Sequence, residues 1–211
     1  NTIDLGADSA TAINISGDAG VIFATGGNTD IADVITMNAS GVTLGAVTDN
    51  GITYAATYNT VGGVTTLTGS NGVDSLTGGA STNDTISGGA GADTLVYTGG
   101  TDTFTGGAGV DTIDVDAIST TTGLTVTDAA SGDIIDVAGL LGTAANVDYN
   151  AAAWAATEVT LGSAATLANY LDAAAAATDG ATSDEEMAWF EFGGNTYVTV
   201  DNSDNATFTA A

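Results

Sequence analysis

The sequence predicts a mainly β protein: a flattened parallel solenoid followed by a small C-terminal α+β cap. Three observations carry this. Between Gly69 and Asp116, glycine, aspartate and one apolar residue recur on a nine-residue beat. Upstream, short apolar runs alternate with Gly, Asp and Asn clusters at close spacing. Downstream, an alanine-rich stretch of helical pattern precedes two aromatic and β-branched runs that flank a glycine pair. With 211 residues there is enough chain for one or two domains and a real core.

The repeat comes first because internal periodicity outranks single residues as a sign of architecture. Residues 69–116 read GSNGVDSLT, GGASTNDTIS, GGAGADTLV, YTGGTDTFT and GGAGVDTIDVD. The aspartates are Asp74, Asp84, Asp93, Asp102 and Asp111; two residues after each stands Leu76, Ile86, Leu95, Phe104 or Ile113. Glycine tolerates positive φ, so the first six residues of a unit can turn sharply. The last three extend as a short strand with the apolar residue pointing inward. Two units then make one coil. Asp74, Asp93 and Asp111 would line one edge of the solenoid, and Asp84 and Asp102 the other.

Residues 1–68 form a Thr/Gly-rich β region with degenerate repeats. Runs such as Ile13–Ile15, Val21–Phe23, Val42–Leu44 and Ile52–Tyr54 are strand signals between turn signals. GADSATAINIS and GGNTDIADVIT look like worn copies of the unit, the second with Asp33 two residues before Ile35. Residues 117–211 make up the capping region. SAATLANYLDAAAAATDG predicts a helix with Ser163 as N-cap and Gly180 as stop. MAWFEFGGNTYVTVDN predicts a hairpin around Gly193-Gly194-Asn195. Trp154, Tyr170, Trp189 and Phe190 are read as core residues of the cap.

Charge narrows the function. The chain has 26 acidic residues and no Lys, Arg, His or Cys, giving a formal net charge of −26. No basic surface exists for nucleic acid or anionic lipid. Cys/His zinc sites, the P-loop lysine, the Ser-His-Asp triad and the cysteine nucleophile are excluded by composition. No enzymatic activity is expected, and no stretch is apolar enough to insert in a membrane. The acidic cluster Asp184-Glu185-Glu186 is read as a solvated loop rather than a catalytic pair.

The aspartates need a counter-charge. Carboxylates on neighbouring coils, about 4.8 Å apart, repel by roughly 3–4 kcal/mol at an effective dielectric near 20. No side chain can relieve that, but a divalent cation between turns can. Calcium takes six to eight oxygen ligands from carboxylates and backbone carbonyls. The expected ligand set is Asp74, Asp84, Asp93, Asp102 and Asp111 with the turn glycines Gly72, Gly89, Gly91, Gly107 and Gly109. Asp33 is the candidate from the degenerate region, with simple turn residues as the competing reading for it and for Asp84.

Units such as GGAGADTLV and GGAGVDTID resemble the calcium-binding repeats of the RTX (repeats-in-toxin) family. SGDIIDVAG and FEFGGNTYVTVDNSDNATF resemble segments that follow the roll in secreted members. The resemblance implies a parallel β-roll with calcium as cofactor. It also implies export by a type I system and an extracellular or bacterial cell-surface location. Two units depart from the pattern: YTGGTDTFT lacks the leading glycine pair, and GGASTNDTIS is one residue longer with Thr82 where glycine is usual. The expected role is a calcium-dependent structural protein that self-assembles into a surface layer, filament or matrix, with copies of itself, calcium and a cell-surface glycan as partners. The alternative is the C-terminal RTX folding and export module of a larger adhesin or enzyme. The chain is expected to be a mature product or a piece of something longer.

Overall fold

The computed structural model describes residues 2–3, 11–23, 36–56, 65–80, 82–115, 123–136, 160–161, 164–167, 169, 171, 173 and 186–201. It forms two compact units, residues 1–138 and 139–211.

The first unit is a parallel two-sheet solenoid. One sheet has seven strands: β1 (Thr2–Ile3), β3 (Val21–Phe23), β5 (Asn50–Ala55), β7 (Val73–Thr77), β9 (Thr94–Val96), β11 (Thr112–Asp114) and β13 (Ile134–Asp136). The other has six: β2 (Ala12–Gly17), β4 (Thr36–Val42), β6 (Thr66–Thr68), β8 (Thr85–Ala90), β10 (Thr101–Ala108) and β12 (Gly123–Val126). Consecutive strands alternate between the sheets, and every pairing within each is parallel.

Register puts like on like. Tyr54, Leu76, Leu95 and Ile113 align in one sheet, and Met37, Leu67, Ile86 and Phe104 in the other. All eight are at most 2% exposed. Period-two alternation sends these side chains into the space between sheets. Threonine therefore faces out. Thr36, Thr66, Thr85, Thr103 and Thr125 form one outer rank, and Asn38, Thr68, Ser87 and Thr105 the next.

Strand pairing runs across residues 68 and 116: β5 pairs with β7, β6 with β8, β10 with β12 and β11 with β13. Backbone pairing asks only for strand-forming residues and an inward apolar position, and the flanking segments supply both without the full nonapeptide. Asp33 lies outside the described residues.

In the second unit, β14 (Glu186–Phe192) and β15 (Asn195–Asp201) form the antiparallel hairpin. Gly193 and Gly194 both have positive φ, 61° and 84°, as a two-residue turn matched to strand twist requires. Phe190 is fully buried and stacks on Tyr197, with ring centroids 5.1 Å apart; Leu167 and Leu171 pack against it. Residues 167, 169, 171 and 173 are helical. The helix start is fastened at Thr166: its N–H donates to Asn169 Oδ1 (3.0 Å), and the Asn169 N–H donates back to Thr166 Oγ1 (3.3 Å). This reciprocal capping box takes the role assigned from sequence to Ser163, which with Trp154, Tyr170, Gly180 and Asp184 lies outside the described residues.

Candidate metal centre

Turns between the sheets stack on two sides. On one side Asp74 is the second residue of β7, and Asp93, Asp111 and Asp133 stand just before β9, β11 and β13. On the other, Asp84 stands just before β8 and Asp102 is the second residue of β10. Each aspartate accepts, through Oδ1, the backbone N–H of the residue one coil earlier. Asp74 N–H donates to Asp93 (2.8 Å), Asp93 N–H to Asp111 (2.9 Å) and Asp111 N–H to Asp133 (3.0 Å). Across the roll, Thr65 N–H donates to Asp84 (3.0 Å) and Asp84 N–H to Asp102 (2.8 Å).

Glycines make the stacking possible. A Cβ on Gly91 would stand within 3.0 Å of the Gly72 carbonyl oxygen, and one on Gly109 closer still to that of Gly91. Gly89 and Gly107 stand in the same relation to the carbonyls of Ser70 and Gly89. The five predicted glycines thus lie in two columns of closely packed backbone carbonyls beside the first aspartate column.

The five repeat aspartates are at most 2% exposed, and no cationic side chain exists to meet them. The oxygens Asp93 Oδ2, Asp102 Oδ2 and Asp111 Oδ2 are buried and accept no hydrogen bond. Burial pushes the Asp93 carboxyl up to about 7, and the charges of Asp74 and Asp111 push the same way against the Asp74 N–H. Burial likewise pushes Asp102 up to about 6, with the Asp84 charge adding to it. Asp111 is raised by burial, then by Asp133 and Asp128. A buried acceptor without a donor costs about 1–3 kcal/mol, and more when charged.

A hard divalent cation fits these oxygens. Asp93, Asp102 and Asp111 each offer one carboxylate oxygen with free lone pairs, and the stacked glycine turns offer carbonyls. Among the described residues no three acidic side chains converge on one point, so backbone oxygens have to complete any shell. A calcium ion there would supply positive charge and would hold neighbouring coils together.

The family model of the RTX calcium-binding nonapeptide repeat (4 copies) matches residues 60–95, 68–104 and 98–117. Residues 60–117 carry RTX calcium-binding repeats, and their described strands form the RTX β-roll. Calcium is its cofactor. No curated protein matches the chain.

The RTX roll also uses residues that the nonapeptide pattern does not single out. Asp133 continues the aspartate column, and its Oδ2 accepts the Ala130 N–H (2.8 Å). The legible signal was Gly132-Asp133 two residues before Ile135, the end of another unit. Asp128 receives the N–H groups of Gly106 (2.9 Å) and Gly107 (2.8 Å). Ser70 and Thr82 donate hydroxyl hydrogen bonds to Asp74 and Asp84.

Proposed function

We propose that the chain is a secreted, non-enzymatic structural protein whose calcium roll assembles with copies of itself into a surface layer, filament or matrix. One observation carries the reading. No outward-facing residue on the strands of the six-stranded sheet is charged, although the chain carries −26. That face presents ranks of Thr, Ser and Asn, some already linked, as Thr105 Oγ1 is to Thr127 Oγ1 at 2.8 Å.

Like charge keeps acidic proteins apart, so copies meet most easily where carboxylates are missing. A hydroxyl-rich sheet face satisfies that condition and can exchange side-chain hydrogen bonds with a second such face. Elsewhere calcium would have to bridge acidic surfaces. The family's secreted character and its calcium requirement agree with an extracellular setting, and a cell-surface glycan is the anchor of the same reading.

Negative-stain electron microscopy tests it, with calcium, with chelator, and with Thr85→Asp plus Thr103→Asp. Ordered sheets or filaments are expected for the parent with calcium and not for the double variant. A parent that remains monodisperse with calcium would sink self-assembly and favour a folding and export module.

A further inference from the structure

The five repeat aspartates fall into two chemical classes. Asp93, Asp102 and Asp111 each keep an oxygen with no donor. Asp74 and Asp84 keep none. Asp74 Oδ1 accepts the Ile52 N–H and the Ser70 hydroxyl (2.9 Å), and its Oδ2 accepts the Ser70 N–H (2.6 Å). Asp84 Oδ1 accepts the Thr65 N–H (3.0 Å) and the Thr82 hydroxyl (2.7 Å), and its Oδ2 accepts the Gly79 N–H (2.5 Å).

The oxygen left open in the other three, Oδ2, is filled here by a backbone N–H, that of Ser70 or Gly79, and a hydroxyl from Ser70 or Thr82 adds a donor at Oδ1. GSNGVD carries Ser70 where GGAGAD and GGAGVD carry the second glycine, Gly89 or Gly107. GGASTND carries Thr82 within a turn one residue longer. Ser70 and Thr82 are buried, and each hydroxyl points back to the aspartate that closes its own turn. An ionised carboxylate has about four acceptor sites. Three donors arranged around each of these two leave little for a cation.

We infer that the hydroxyls of Ser70 and Thr82, together with the backbone N–H groups of Ser70 and Gly79, stand in for calcium at Asp74 and Asp84, so that the coil bearing them is a metal-independent starting coil for the calcium-dependent ones. Its neighbours support the assignment. The turn of the same coil is fastened to the one before it by Asn71, whose amide receives the Leu44 N–H (2.5 Å) and donates to the Leu44 carbonyl (3.1 Å). Beyond this coil, Asp93, Asp102 and Asp111 each receive an N–H already in place and leave the second oxygen open.

Calorimetric calcium titration and far-UV circular dichroism in chelator, both on the full chain, test the assignment. Asp74→Asn and Asp84→Asn are expected to bind as many calcium ions as the parent, whereas Asp93→Asn binds fewer. Ser70→Gly and Thr82→Gly, which remove the stand-in hydroxyls, are expected to lose β signal in chelator and to regain it with calcium. Asp74→Asn lowering the calcium count as far as Asp93→Asn would overturn the inference. Should Asp74→Asn fail to fold, Ser70→Gly decides alone: a chelator-resistant signal equal to the parent's overturns it.

Discussion

The two stacks of turns share one nine-residue beat and satisfy their polar groups differently. In the stack that ends at Asp93 and Asp111, the turns are nearly all glycine and alanine, and carbonyls press on the glycines of the next coil. In the stack that ends at Asp84 and Asp102, side-chain hydroxyls lace the turns. Thr98 Oγ1 donates to the Gly78 carbonyl (2.8 Å), Tyr97 Oη to that of Gly100 (2.7 Å), and Thr82 to Asp84. Both stacks keep open carboxylate oxygens, at Asp93 and Asp111 in the first and at Asp102 in the second, but in the second the hydroxyls of Tyr97 and Thr98 also occupy turn carbonyls. A repeat motif thus sets the backbone path, and small departures within it set how much calcium each turn needs.

The sharpest way to break this comparison is to remove one carboxylate from each stack. Asp93→Asn and Asp111→Asn are expected to weaken calcium binding by about 100-fold, or about 2.7 kcal/mol. Asp102→Asn, beside a carbonyl already held by Tyr97, should lose about tenfold, or about 1.4 kcal/mol. Asp184→Ala should change nothing. Calorimetric titration reads all four, and equal losses at Asp93 and Asp102 would remove the distinction between the stacks.

Much of this was legible in sequence because side-chain period and coil length are linear properties. The nine-residue beat placed Leu76, Ile86, Leu95, Phe104 and Ile113 inside and sorted the aspartates onto opposite edges. The continuation of the ladder through β3, β5, β12 and β13 was harder to see. At β5 and just before β6, Ile52 and Thr65 occupy the aspartate positions of their columns, and a backbone N–H suffices to keep the next aspartate in place. The filling of Asp74 and Asp84 depends on which way the Ser70 and Thr82 hydroxyls point, and spacing does not encode that.

Acidity offers a second, gentler probe. Asp93 and Asp102 are raised to about 7 and about 6 in the folded, calcium-free protein, from 3.8. Between those limits the folded state holds protons that the unfolded chain has released. Calcium-free stability is therefore fully present below about pH 4 and is lost as pH rises through 6–7. Calcium binding needs the same carboxylates ionised, so its affinity should rise across that window with release of protons. Thermal melts in chelator should fall between pH 5 and pH 7.5, while melts in calcium hold or rise. A calcium-free melting temperature that climbs over this range would contradict the buried, unpaired state of these carboxylates.

The smallest effect isolates the hydroxyl lacing itself. Tyr97 is 1% exposed and takes the column position of Gly78, and its hydroxyl reaches over the turn to the Gly100 carbonyl. Tyr97→Phe keeps the buried ring and removes that donor, so calcium-free stability should drop by about 1 kcal/mol. The freed carbonyl belongs to the turn that leads into Asp102, whose Oδ2 is open. Calcium affinity at the second stack should then stay constant or tighten, while the first stack is untouched. Denaturant melts in chelator, paired with calcium titration, separate the two readings. A variant that loses calcium binding at both stacks would mean that Tyr97 supports the roll as a whole rather than one turn, and that the stacks are not independent.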